Sequence, residues 1–124
     1  MEAVLFDLDG TLLSNDMGVF LPHYFRLLTA RVAHLIPPDQ FLGRLRVATD
    51  AMIANDGTST NEEVFVRTFY PVGGVERHEL EPIFIDFYER DFPTLKHYTS
   101  AKPEAPHVVQ RAFDLGYKVV VATN

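Results

Sequence analysis

The feature that most constrains this chain is a pair of short runs, Ala3-Val4-Leu5-Phe6 near one end and Val119-Val120-Val121 near the other, in which every position is apolar. A strand with one wet face alternates. A run apolar at odd and even positions alike therefore predicts a strand covered on both faces, as in a parallel α/β sheet. The first run stops at two carboxylates, Asp7 and Asp9, with Leu8 between them and Gly10 and Thr11 behind. The second sits in a strand predicted over 117–124 that ends in a hydroxyl and an amide, Thr123 and Asn124. A helix is predicted before it, over 104–115. There Val108, Val109, Ala112, Phe113 and Leu115 recur at helical spacing, Pro103 and Pro106 stand near the start, and Gly116 closes the end. A helix feeding a strand is half of a doubly wound unit.

Between the two ends the pattern turns amphipathic. Residues 16–36 place Met17, Phe20, Leu21, Tyr24, Leu28, Val32 and Leu35 on one helical stripe, with Pro22 expected to start or kink it and Pro37-Pro38 to end it. A second helix is predicted from Asp39 to about Ala54, stopped by Asn55-Asp56-Gly57. A third opens on Thr60-Asn61-Glu62-Glu63, the pattern of a capping box, and runs to about Tyr70; a fourth covers roughly 75–91. The expected organisation is a Rossmann-like α/β core from residues 1–14 and 98–124, interrupted by a helical insert over 15–97.

Bulk properties narrow the function classes. The 124 residues are 47% hydrophobic and 12% aromatic, enough for a real core. Seventeen acids against 11 bases give a formal charge of −6 with no run of like charge, which argues against a nucleic-acid backbone as partner. The absence of cysteine removes disulfides, thiol catalysis and thiolate metal sites. Glu2 and the four-residue run after it do not make a signal peptide, and no stretch approaches membrane-spanning length, so a cytoplasmic protein without a membrane partner is expected.

Asp7 and Asp9, two apart at the carboxyl end of a strand, would project to one face while Leu8 turns into the packing. That end is where open α/β sheets bind ligands. Carboxylates this close repel each other unless a cation lies between them or one holds a proton. Either state is chemically useful: a cation-shielded carboxylate is a nucleophile, and a protonated neighbour serves a leaving oxygen. Gly10 would bend the chain so that its amides cradle phosphate oxygens. A second reading treats Asp9-Gly10 as a tight turn between two antiparallel strands, since Asp-Gly between apolar residues is a strong hairpin signal. A calcium loop fails, because its sixth and twelfth positions would be Leu12 and Gly18 rather than Gly and Glu.

With both ends in view, Asp7-Leu8-Asp9-Gly10-Thr11 with Leu12-Leu13 behind it, and Val119-Val120-Val121-Ala122-Thr123-Asn124, resemble the first two motifs of the haloacid dehalogenase-like superfamily. The helical insert is similar to the cap that many members carry. The resemblance implies a phosphatase: Asp7 as the nucleophile that takes the phosphoryl group, Asp9 as the acid and base, and Mg²⁺ on the Asp7 carboxylate and the Asp9 carbonyl. It also implies a phosphate cradle of Leu8, Gly10, Thr11, Thr123 and Asn124, with Thr11 orienting Asp9 or the loop, and a small phosphorylated metabolite as substrate. The dehalogenase branch lacks a carboxylate at the position of Asp9, so phosphoryl transfer is the expected class. The family's later motifs, a Lys and an acidic pair, follow the second, whereas Lys96, Lys102 and Lys118 all precede Thr123. The expectation is therefore an N-terminal portion of an enzyme that alone binds Mg²⁺ poorly and turns over little. A phosphomutase, or a silent binding or regulatory module, are the alternatives.

Overall fold

Thr60 starts a helix because its hydroxyl accepts the amide of Glu63 at 3.2 Å while the Glu63 carboxylate accepts the amide of Thr60 at 2.8 Å. Two amides that a helix leaves without partners are thereby satisfied at once. In the computed structural model, which describes residues 2–123, this is one of five α-helices in a mixed α/β chain that is 60% helical. They are α1 (Met17–Val32), α2 (Pro38–Ile53), α3 (Asn61–Phe69), α4 (Arg77–Asp86) and α5 (Ala105–Asp114). The strands are β1 (Ala3–Phe6), β2 (Leu13–Asn15), β3 (Thr99–Ala101) and β4 (Lys118–Val121). No helix among the described residues is long and apolar enough to cross a membrane.

The backbone forms two compact units, one taking the chain up to Pro22 and again from Thr94, the other His23–Pro93. In the first unit β1 pairs with β4 in parallel, Ala3 opposite Lys118 and Phe6 opposite Val121. β2 pairs antiparallel with β3 in a separate two-stranded sheet. The tight hairpin around Asp9-Gly10 therefore does not form: the partner of β1 lies more than a hundred residues away. α5 packs against β4 and ends as its sequence requires. Gly116 takes a φ of +80°, its amide reaches the Phe113 carbonyl at 2.9 Å, and the Tyr117 amide reaches that of Ala112 at 3.1 Å. This double closure depends on a residue free to turn left-handed.

One expectation fails here. The strands read as covered on both faces carry an open face, with Leu5 64% and Val120 39% exposed, while Val4, Phe6 and Val119 are half-buried. The physical reason is that each strand has a single neighbour in its sheet and α5 packs against β4, which covers these strands only in part. α5 likewise buries Ala112 but leaves Val108, Phe113 and Leu115 exposed.

The second unit holds the larger core. Val32, Ile36, Phe41, Phe69, Val72, Leu80 and Phe87 are fully buried. Phe69 stacks on Phe65 at 4.8 Å and meets Phe41 edge-on at 5.8 Å and Tyr70 edge-on at 4.9 Å. Such pairs add about 0.5–1.5 kcal/mol each beyond the area they bury. Arg31 ties the C-terminal half of α1 to the turn after α4 through Asp86 at 2.9 Å and through Asp91. Pro22 lies inside α1 rather than at its start, because Asp16 caps the helix one turn earlier: its carboxylate accepts the Gly18 amide at 2.8 Å and its carbonyl that of Phe20 at 2.8 Å. The fourth predicted helix starts at Arg77, and its helical backbone widens after Asp86 into a π-type turn over Phe87–Asp91, which ends where the periodicity placed the end.

Candidate active site

β1 closes at Phe6, and the residues that follow form a tight loop around a single carbonyl. The Leu8 oxygen accepts the amides of Thr11 at 3.3 Å, Leu12 at 3.0 Å and Leu13 at 2.9 Å, while the Gly10 amide donates to the Leu13 carbonyl at 2.9 Å. Gly10 sits at φ +77°, a left-handed conformation in which a side chain would be strained although nothing stands within 4 Å of where a Cβ would go. Asp7 thus lies just past the strand end and Asp9 within the loop, so strand alternation does not set their side chains. Both are exposed, and Leu8 between them is half-buried.

Each carboxylate is held by a different side chain. The Thr11 hydroxyl donates to Asp7 Oδ2 at 3.0 Å, and the Asn15 amide donates to Asp9 Oδ1 at 2.6 Å. Thr11 therefore serves Asp7, where the sequence suggested Asp9 or the loop. Asn15 was not singled out from the sequence. Its position in β2, whose antiparallel pairing with β3 fixes its backbone opposite Thr99, places it under Asp9. A readable signal would have been the Leu13-Ser14-Asn15 alternation, with an amide where an apolar residue suits a strand.

The remaining oxygens, Asp7 Oδ1 and Asp9 Oδ2, accept no hydrogen bond from the described residues, and the amides of Leu8 and Asp9 donate to none. Asn15 Oδ1 is buried without a hydrogen-bond partner. The loop accordingly offers free carboxylate oxygens and two unused donors. Hard oxygen ligands of this kind suit Mg²⁺, which takes one or two carboxylates from a protein and the rest of its shell from water and phosphate. Among the described residues no three acidic or histidine side chains gather into a fuller cage.

β4 brings the second half. The Ala122 amide donates to the Phe6 carbonyl at 2.8 Å, which carries the pairing one residue past the strands and sets Asp7 beside Ala122, the residue before Thr123. Thr123 is exposed at that end. Asn124 lies outside the described residues. Asp7, Leu8, Asp9, Gly10, Thr11 and Thr123 are therefore gathered at one end of the parallel pair. No protein-family model, no curated protein and no solved structure matches this chain.

Proposed function

We propose that this chain carries the nucleophile half of a Mg²⁺-dependent phosphomonoester hydrolase of the haloacid dehalogenase-like type, acting through an aspartyl-phosphate. The observation that carries the proposal is the meeting of the two strand tips, with an unengaged carboxylate oxygen on Asp7 level with the segment that ends in Thr123. On this reading the parallel pair belongs to a Rossmann-like sheet, and the helical unit His23–Pro93 is the cap that selects a small phosphorylated metabolite.

The chemistry follows from the side chains. Asp7, its Oδ2 anchored by Thr11, attacks phosphorus through Oδ1, and the bond from phosphorus to the ester oxygen breaks. The protonated Asp9, steered by Asn15, gives its proton to that leaving oxygen; the resulting carboxylate then takes a proton from the water that attacks the phosphoryl group on Asp7. The amides of Leu8 and Asp9, aimed by the turn at Gly10, and the Thr123 hydroxyl supply donors to the three equatorial oxygens, where charge is spread in the transition state. Bound Mg²⁺, held by the Asp7 carboxylate and an Asp9 oxygen, would screen the repulsion between nucleophile and phosphate.

The test is phosphoryl capture. The chain is incubated with Mg²⁺ and acetyl phosphate, the added phosphoryl group is followed by intact mass, and turnover is measured in parallel on a panel of phosphate esters. The expected result is one label on Asp7, absent in Asp7→Asn and slow to discharge in Asp9→Asn. A chain that takes no label, or one whose activity survives Asp7→Asn, overturns the assignment.

A further inference from the structure

Helix α2 carries a glycine at position 43, in its interior, and no packing inside the protein asks for it: a Cβ there would meet nothing within 4 Å. Interior helix glycines are unfavourable relative to alanine, so the residue weakens the helix and fills no steric need of the fold. What it does is open a notch. Asp39 and Gln40 stand one turn before it and Val47 one turn after, while Arg44 is its chain neighbour, about 100° further round the helix, and all four border the notch with it. Facing them is the segment 71–73, and the two walls border a wide, open groove of about 470 Å³.

The charges lining the notch are unspent. Arg44 Nε donates to the Phe69 carbonyl at 3.1 Å, which fixes the guanidinium and leaves its two terminal nitrogens with no partner among the described residues. The Asp39 carboxylate is in no hydrogen bond or ion pair with any described residue, Arg44 included. Placement in the first turn of α2 accounts for an acid at position 39 but not for its sharing a groove with a pre-set, unpaired guanidinium. A ligand with one charge would satisfy one of the two and repel the other. A dipolar ligand satisfies both.

We propose that this notch is a binding site for a small aliphatic amino carboxylate, its carboxylate taken by the two free nitrogens of Arg44 as a planar fork, its ammonium group by Asp39, and its carbon chain laid over Gly43 toward Val47. The site lies wholly within the unit His23–Pro93 and does not depend on the chemistry assigned to Asp7.

The experiment is an amide chemical-shift titration of the isotopically labelled chain with three probes of increasing length, glycine, β-alanine and 4-aminobutyrate, and with propionate and propylammonium as singly charged controls. At least one amino acid is expected to shift the amides of Gly43, Arg44 and Gly73 with a dissociation constant about tenfold or more below that of either control. Arg44→Lys keeps the charge but loses the fork and is expected to weaken that probe about tenfold. Gly43→Ala fills the notch and is expected to weaken it by at least as much while raising the midpoint of thermal unfolding, because alanine strengthens the helix. That combination separates a ligand role from a structural one. Amino acids no better than propionate or propylammonium, or titrations left unchanged by Gly43→Ala, overturn the proposal.

Discussion

Removing the Phe69 ring is the sharpest test of how the helical unit is held together. Phe69 has no exposed surface and touches four other rings, stacked on Phe65 at 4.8 Å and set against Tyr70, Phe41 and Phe84 at 4.9, 5.8 and 6.1 Å. Truncating a buried phenylalanine to alanine costs about 3–5 kcal/mol, and the upper half of that range applies where the surrounding side chains are too rigid to close the hole. Four aromatic neighbours make collapse difficult. A unit of the size of residues 23–93 has a total stability of roughly 4–11 kcal/mol, so Phe69→Ala removes about a third of it at the upper bound and all of it at the lower. Phe69→Leu keeps most of the volume and loses mainly ring–ring contacts, for an expected cost of about 1–2 kcal/mol. Both variants keep the backbone carbonyl that holds Arg44. The assay is urea unfolding followed by far-UV circular dichroism, which reports chiefly on these helices, with the slope checked for constancy. A loss below about 1 kcal/mol in Phe69→Ala, at unchanged slope, would refute the reasoning, because it would mean that the rings do not act as one packed cluster.

Four smaller perturbations follow from local geometry. Thr60→Ala deletes one arm of the α3 cap and should cost about 1 kcal/mol in the same urea experiment, with Thr60→Ser close to neutral. The Glu63 carboxylate, held below its ordinary 4.5 first by the Thr60 amide and then by the Thr60 hydroxyl, contributes stability that is complete above that pH and lost as the pH falls through its depressed folded value; Glu63→Gln should flatten this acid limb. Burial, and then the 2.9 Å hydrogen bond with Tyr88, push the Tyr24 phenol well above its ordinary 10.0. Its contribution is therefore complete below pH 10 and is lost as the pH rises further, so Tyr24→Phe should move the alkaline unfolding limb to higher pH. Gly116→Ala places a side chain at φ +80° with no contact to blame, and a loss of about 1–2 kcal/mol in thermal unfolding would measure the backbone strain alone.

The sequence by itself determined whatever depends on neighbours three or four residues apart. The helices at 38–53, 61–69 and 105–114 fall within a residue or two of the periodicity that predicts them, and the Thr60–Glu63 cap and the Gly116 turn form because their hydrogen bonds close within one turn of chain. The loop Asp7–Thr11 was legible for the same reason, as acids and a glycine just past an apolar run. Only the tertiary structure decided what those local pieces meet. That β1 pairs in parallel with β4 rather than folding into a hairpin, that Asn15 rather than Thr11 holds Asp9, and that one face of the parallel pair stands open with Leu5 on it, all turn on partners distant in sequence. An apolar run states that a strand prefers to be covered, whereas what covers it is set by the global balance of burial against chain entropy, which no short stretch of residues encodes.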